Sequence, residues 1–350
     1  MSAMFPVYRV NWADMVARVA VCLLLAGLPA ACAEWNPKLA AQYLDSRQQE
    51  WFAWPRANAG AKPCVSCHTG VTYLMVRPAL RKVLGESEPT RYETGLLNSL
   101  TERVAKREPA AAPSIGVESV LAALFLGGGR SAASAQALDR MWALQTKEGK
   151  ARGAWNWFSL DDDPWEMPES NFYGATLAAI AVGGAPAEYR ARPEVKERVA
   201  DLAAFLRSGQ ESQPLHNRVM LLWASSKLPE VVSGDARKSI VAELWKRQQA
   251  DGGWTMASLG PFAVHEKAPR QEGSNAYATA VVALVLQRAE GASPKLGKAL
   301  AWLRTRQDPE GGYWSAESMN KQYPAGSMEI KFMRDAATAY ASLALLEASN

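Results

Sequence analysis

Gln248-Gln249-Ala250-Asp251-Gly252-Gly253-Trp254 and Gln307-Asp308-Pro309-Glu310-Gly311-Gly312-Tyr313-Trp314 repeat one pattern: glutamine, an acid, a glycine turn and tryptophan. Each copy closes an amphipathic run that carries a tryptophan near its end, Trp245 and Trp302. A looser copy is Trp142-Ala143-Leu144-Gln145 followed by Gly153-Ala154-Trp155-Asn156-Trp157, and Gln48-Gln49-Glu50-Trp51 is a degenerate echo. The chemistry is that of a helix end. Glutamine can bond carbonyls left unpaired there, glycine turns the chain, and tryptophan can pack across to a neighbouring repeat.

Working outward, each turn joins a charged helical pattern to an apolar, small-residue one. The spacing predicts pairs at 35–54 and 64–84, 90–106 and 115–126, 132–146 and 171–182, 194–207 and 217–226, 235–249 and 275–289, and 294–306 and 333–348. Pro78 falls inside the second of these helices, where it would kink it. Helices polar on one side belong outside, and helices apolar all round must be buried. Six such pairs close a ring, so residues 34–350 are expected to form one all-α domain, an (α/α)6 toroid. All inner helices then start at the same end, bringing together Cys64–His68, Ser170-Asn171, His216-Asn217, Ser274-Asn275 and Arg334-Asp335 around a cavity mouth, although Ser and Asn there also serve as helix caps.

The Gln–Gly–Trp turns resemble the QW repeats of squalene–hopene cyclases and related terpenoid cyclases, whose toroid is shared by protein prenyltransferase β subunits. That resemblance covers most of the chain from about residue 131 and implies the fold. It also implies an apolar, isoprenoid-like ligand for the central cavity. It does not carry the reaction over. Class II cyclases protonate an alkene with the middle acid of Asp-x-Asp-Asp, and the tract here, Asp161-Asp162-Asp163-Pro164, lacks the final acid. Asp162-Asp163-Pro164-Trp165-Glu166 formally fits a class I magnesium–diphosphate box, but Pro164 argues for a loop rather than the helix such a box needs. No motif matches a prenyltransferase zinc site.

The residue motif that stands apart is Cys64-Val65-Ser66-Cys67-His68. Cys-x-x-Cys-His is the spacing of c-type haem attachment: Cys64 and Cys67 would form thioethers to the haem, and His68 would be the proximal iron ligand. A zinc or other metal site at Cys64, Cys67 and His68, and a redox disulfide, are the competing readings. A sixth ligand could come from Met167, Met256, Met319, Met328, His216 or His265, or the position could stay open. Met75 lies on the same helix face as His68 and cannot easily reach the opposite side. Among acids, Asp162, Asp163 and Glu166 are candidate catalytic residues within 159–169, against the plainer expectation of a solvated loop.

The chain's 350 residues and 48% hydrophobic content allow a sizeable core, and a formal charge of +4 without any Lys/Arg run gives no sign of nucleic-acid binding. Residues 1–33 read as a signal peptide. Arg9 and Arg18 precede the apolar run 19–28, Ala31-Cys32-Ala33 fits a cleavage site, and Met15 begins a compact signal by itself. Pro29-Ala30-Ala31-Cys32 resembles a lipoprotein box, with Pro29 where an aliphatic residue belongs. The expected setting is the periplasm, or an outer-face lipoprotein if Cys32 is lipidated, with no transmembrane span in the mature chain. The expected function is haem-based redox, as electron transfer to a partner protein or oxidation of an apolar ligand. The alternative is a haem-free isoprenoid or triterpenoid binder, or cyclase-like protein, with a metal at the Cys64–His68 motif.

Overall fold

A computed structural model describes residues 35–58, 62–106, 112–263 and 272–349. The signal segment with Cys32, and His265, lie outside the described residues. The first helix pair is α1 (Pro37–Ala53) and α2 (Gly70–Leu84), and the second is α3 (Arg91–Lys106) and α4 (Pro113–Leu126). Then follow α5 (Ala132–Ala143) with α6 (Ser170–Gly183), and α7 (Pro193–Gly209) with α8 (Leu215–Ser225). The ring ends with α9 (Gly234–Lys246) and α10 (Ala276–Glu290), then α11 (Pro294–Arg304) and α12 (Phe332–Glu347). A single turn, Ala187–Arg190, precedes α7. The fold is the expected (α/α)6 toroid.

Even-numbered helices form the inner ring. α4 packs on α6, α6 on α8, α8 on α10, α10 on α12, and α12 returns to α2. At the remaining seam, α3 packs on both α2 and α4. Burial follows the sequence pattern: Ala276 to Leu286 of α10 is buried on every face, whereas α9 buries only Ile240, Val241 and Leu244. Each fully buried Leu or Val contributes about 1.5–3 kcal/mol, so the inner helices are held by packing. The outer helices α1, α5, α9 and α11 start under side-chain caps from Asn36, Ser131, Ser233 and Ser293. Among the described residues no helix is long and apolar enough to cross a membrane.

The Gln–Gly–Trp turns join repeats, and at the last turn the Trp314 ring packs across on Trp35 of the first repeat, 6.1 Å between centroids, as expected. Trp155, Trp254 and Trp314 each donate their indole N–H back to their own outer helix, at the carbonyls of Met141, Leu244 and Leu303 (2.7–2.8 Å). The glutamine makes the hydrogen-bonded crossing. Gln145 donates to Gly153 O and to Arg198 O of α7, and Gln248 donates to Gly252 O and to Lys295 O of α11. Gln307 donates to Gly312 O and to Asn36 O, and accepts from Asn36 N at 2.6 Å, tying the last repeat to the first. The glycines are required twice over. Gly252 and Gly312 have φ of 97° and 71°, and a Cβ on either would lie within 3 Å of the backbone of the next outer helix, at Lys298 or Leu39.

Candidate functional site

The Cys64–His68 motif lies ahead of α2 rather than inside it, a correction to the expected helix start at residue 64. Ser66 opens the turn at 67–69 that leads into α2: its Oγ accepts from Thr69 N (3.2 Å) and Gly70 N (3.0 Å), acting as the cap that α2 otherwise lacks. Gly70 lets Val65 come close, since a Cβ there would sit 3.2 Å from Val65 Cα. The segment is strapped to its surroundings from both sides. Trp51 Nε1 donates to Cys64 O (2.8 Å), Gln48 Nε2 to Thr69 O (3.1 Å), Ser99 Oγ to Pro63 O (2.7 Å) and Arg103 Nη2 to Lys62 O (2.9 Å). The degenerate echo Gln48–Trp51 is therefore no repeat turn. Its glutamine and tryptophan hold the two ends of the Cys-x-x-Cys-His segment.

His68 is only 5% exposed. Its ring stacks on Phe332 at 3.5 Å between centroids, and Trp51 and Trp165 each lie 5.8 Å away. Burial, with the charge of Arg47, lowers its pKa to about 3, so the imidazole is neutral. The hydrogen bonds assign its tautomer. Thr69 Oγ1 donates to Asp335 Oδ2 (2.8 Å), which leaves that hydroxyl to accept from His68 Nδ1–H at 3.1 Å. Nε2 then carries the free lone pair. Asp335, fully buried, also accepts from Arg47 Nε and Tyr43 OH, both at 2.8 Å. Burial raises its carboxyl against the pull of these three donors. Such an outer shell is what orients a ligating imidazole and tunes its basicity.

Both motif thiols are free, Cys64 half-buried and Cys67 buried. Burial pushes both upward, Cys67 well above the ordinary thiol range, which is opposite to the lowered thiols of redox dithiols. Among the described residues no group of three or more His, Cys, Asp or Glu side chains is arranged to hold a metal ion. A haem needs less of the protein: two thiols for its edge and one imidazole for its iron. A cavity of about 540 Å³ opens beside the motif, at the seam between the starts of α2 and α4. Cys64, Cys67 and His68 line it, with Trp51, Trp54, Phe158, Tyr323 and Phe332 as aromatic wall, and Arg56 and Arg103 stand there paired with Glu329 and Glu118. That volume lies within the range of roughly 300–1,000 Å³ usual for cofactor and ligand sites. The donor set and the space fit a c-type haem.

The acidic tract is not a solvated loop. Asp162, Asp163, Trp165 and Glu166 are all buried, and Asp162 and Glu166 line the cavity. A second loop clamps the tract: Tyr323 OH donates to Asp162 Oδ1 (2.8 Å), Asn320 Nδ2 to Asp161 O (2.7 Å), and Lys321 Nζ to Leu160 O. Asp163 faces elsewhere and accepts from Ala263 N at 2.9 Å. Burial, then the charge of Asp162, moves Glu166 up to about 7 against the opposing pull of Lys321. The signal for this burial was present in the sequence, in Trp165 and Met167 set among the acids.

The expected apolar central cavity is filled. Tyr173 of α6, His216 of α8, Tyr277 of α10 and Tyr340 of α12 meet inside the inner ring, with Trp165 beside Tyr277. His216 and Asn217 thus start an inner helix as expected, but His216 is bonded to Tyr277 and lies beyond Trp165 from His68. Of the methionines, Met328 packs with Trp51, Phe332 and Cys64, and its sulfur accepts from Arg47 Nη2 at 3.2 Å. Met167 and Met256 are buried, and Met75 and Met319 are half-buried. Arg47, Thr69, Tyr323 and Phe332 escaped the sequence reading, because nothing local marks an outer-helix arginine or a loop tyrosine as facing a distant histidine.

No protein-family model matches the chain, and no curated protein matches it by sequence. Among solved structures the chain is similar to a possible member of the GH105 family from Salmonella enterica subsp. enterica serovar Paratyphi A. The TM-score is 0.51 and the identity 12%, over 89% of this chain and 94% of that one. At that identity the likeness carries the fold alone.

Proposed function

We propose that this is an exported c-type haem protein, with haem joined through Cys64 and Cys67 and His68 as its proximal ligand. Its work is haem-based redox chemistry, as electron transfer or as oxidation of an apolar ligand in the cavity. One observation carries the reading: His68, with Nδ1 committed to Thr69 and Asp335, sits with both thiols on the wall of an aromatic cavity of about 540 Å³. When bound, the haem supplies an iron centre that exchanges electrons. The chain's own residues do the rest. Thr69, Asp335 and Arg47 orient the imidazole, and the aromatic side chains give the group an apolar wall; Arg56 and Arg103 beside it are paired with Glu329 and Glu118. Glu166, with its pKa near neutrality, holds a proton at the cavity wall for a bound ligand.

The test is expression with periplasmic haem-maturation machinery, followed by denaturation and the pyridine haemochrome assay. One covalent haem per chain is expected, lost in Cys64→Ala/Cys67→Ala. Its absence from the unsubstituted chain would overturn the reading. The family label of the structural neighbour offers a second reading, in which Glu166 and Asp162 act as an acid–base pair on a carbohydrate. The raised carboxyl of Glu166 beside Asp162 favours it. Glycoside hydrolysis by the haem-free Cys64→Ala/Cys67→Ala chain would support that alternative.

A further inference from the structure

The inner ring of an apolar toroid has no packing need for a hydrogen-bonded histidine–tyrosine pair, yet one stands at its centre. Tyr277 and His216 are both fully buried, and Tyr277 OH lies 2.9 Å from His216 Nε2. The neighbouring bonds assign the direction. Asn217 Nδ2 donates to Gln213 Oε1 (2.8 Å), so the carbonyl oxygen of Asn217 is the atom 3.3 Å from His216 Nδ1, which must carry the hydrogen. Nε2 is therefore the free lone pair that receives the Tyr277 hydroxyl. Burial lowers the His216 pKa to about 4, so that lone pair is available at neutral pH.

This pair is not isolated from the motif. Trp165 stands between them, its ring 5.8 Å from His68 and 5.5 Å from Tyr277. Beyond Tyr277 lie Tyr340 at 5.8 Å and then Trp223 at 6.2 Å from Tyr340. Trp and Tyr are the side chains that can lose one electron and pass the hole on, and a tyrosine can do so in a dry interior only if its proton leaves at the same time. His216 provides that exit. The Trp165 indole N–H and the hydroxyls of Tyr173 and Tyr340 make no hydrogen bond of good geometry, so Tyr277 is the ring in this cluster with a proton acceptor in place.

We propose that Tyr277 and His216 form a proton-coupled redox pair, and that Trp165 carries electrons from it to the Cys64–His68 site. The proposal rests on the haem reading for its natural oxidant. One electron leaves Tyr277 through Trp165, the Tyr277 O–H bond breaks, and the proton forms an N–H bond at His216 Nε2. The products are a neutral Tyr277 phenoxyl radical, a His216 imidazolium and an oxidant reduced by one electron. By chemical class that oxidant would be a hydroperoxide, with a haem held by Cys64, Cys67 and His68 supplying the redox centre. ROOH would take two electrons and two protons to give ROH and water; Tyr277 would supply one electron, the bound group the other, and solvent the protons.

The experiment uses the haem-loaded protein, with haem content fixed beforehand by pyridine haemochrome, mixed with hydrogen peroxide and freeze-quenched for electron paramagnetic resonance. A neutral tyrosyl radical is expected, its hyperfine pattern altered by deuterated tyrosine in the unsubstituted chain and by nitrogen-15 histidine. It disappears in Tyr277→Phe and forms about tenfold more slowly in Trp165→Phe at equal haem content. A parallel arm oxidises the haem-free Cys64→Ser/Cys67→Ser chain with photogenerated tris-bipyridyl ruthenium(III). A Tyr277-dependent radical in that arm, with no covalent haem in the unsubstituted protein, would keep the pair and sink the haem reading. Covalent haem with no tyrosyl radical, or with one unchanged by Tyr277→Phe, would overturn the pair.

Discussion

Glu166 is 9% exposed beside Asp162, and burial with that neighbouring charge lifts its carboxyl from the usual 4.5 to about 7. A carboxyl whose pKa is higher folded than unfolded adds stability that is full below about 4.5 and lost as pH rises through about 7. A shift of this size corresponds to about 3 kcal/mol. Glu166→Gln keeps the shape and removes the titration. In urea unfolding of chains with equal haem content, the unsubstituted protein should lose up to about 3 kcal/mol relative to Glu166→Gln between pH 4.5 and pH 8. A difference between the two proteins that does not vary with pH would mean that the carboxyl is solvated. This is also where sequence reasoning falls short at the residue scale. Five acids in nine residues look solvated by composition; Asp161 and Glu169 are, but Asp162, Asp163 and Glu166 are buried, and the loop that covers Asp162 brings Asn320, Lys321 and Tyr323 from about 160 positions away.

At the scale of the element, the repeat turn was readable because its chemistry is local. A glutamine at the helix end, then a glycine at positive φ two residues before a tryptophan, recur in three turns, and they predict a helix end whatever surrounds it. The glutamine's bond to the next repeat was not readable, since the carbonyl a side-chain amide meets depends on where the next outer helix lies. Gln307 shows what that bond does. Its amide makes two donated bonds and accepts one, and two of the three join the sixth pair to Asn36 at the start of the first. With each such bond worth about 0.5–1.5 kcal/mol net, Gln307→Ala should cost about 1–3 kcal/mol in chemical denaturation. Gln49→Ala, at an exposed position of α1 outside any repeat turn, should stay within about 0.5 kcal/mol. Equal effects from the two would show that the glutamine bridge does not hold the ring closed. Gln48 and Trp51 explain why the first pair lacks a clear repeat turn, because both side chains are spent on the carbonyls of Thr69 and Cys64.

Across the whole molecule, the ring is what assembles the site. The motif enters from the first pair, Trp165 and Glu166 from the third, and Tyr323, Phe332 and Asp335 from the sixth, so the pocket around His68 exists only when the first and last repeats meet. The sequence placed Cys64–His68 and Asp335 at one mouth, because six parallel inner helices put their starts together; it left the cavity on the axis, where four inner helices in fact pack their aromatics. Cys-x-x-Cys-His by itself suggests a small cytochrome that could be cut free. The packing says otherwise. A fragment of residues 35–130 would hold two pairs whose inner helices, α2 and α4, are buried by α12 and α6 in the intact ring. Without those partners their apolar faces meet water, and the buried area left to two pairs falls short of the conformational entropy they must lose. The fragment should therefore show little helical circular dichroism and rapid proteolysis, whether or not haem has been transferred to its thiols, while the full chain resists both. A compact, protease-resistant fragment would mean that the motif carries its own cytochrome fold and that the toroid is only its neighbour.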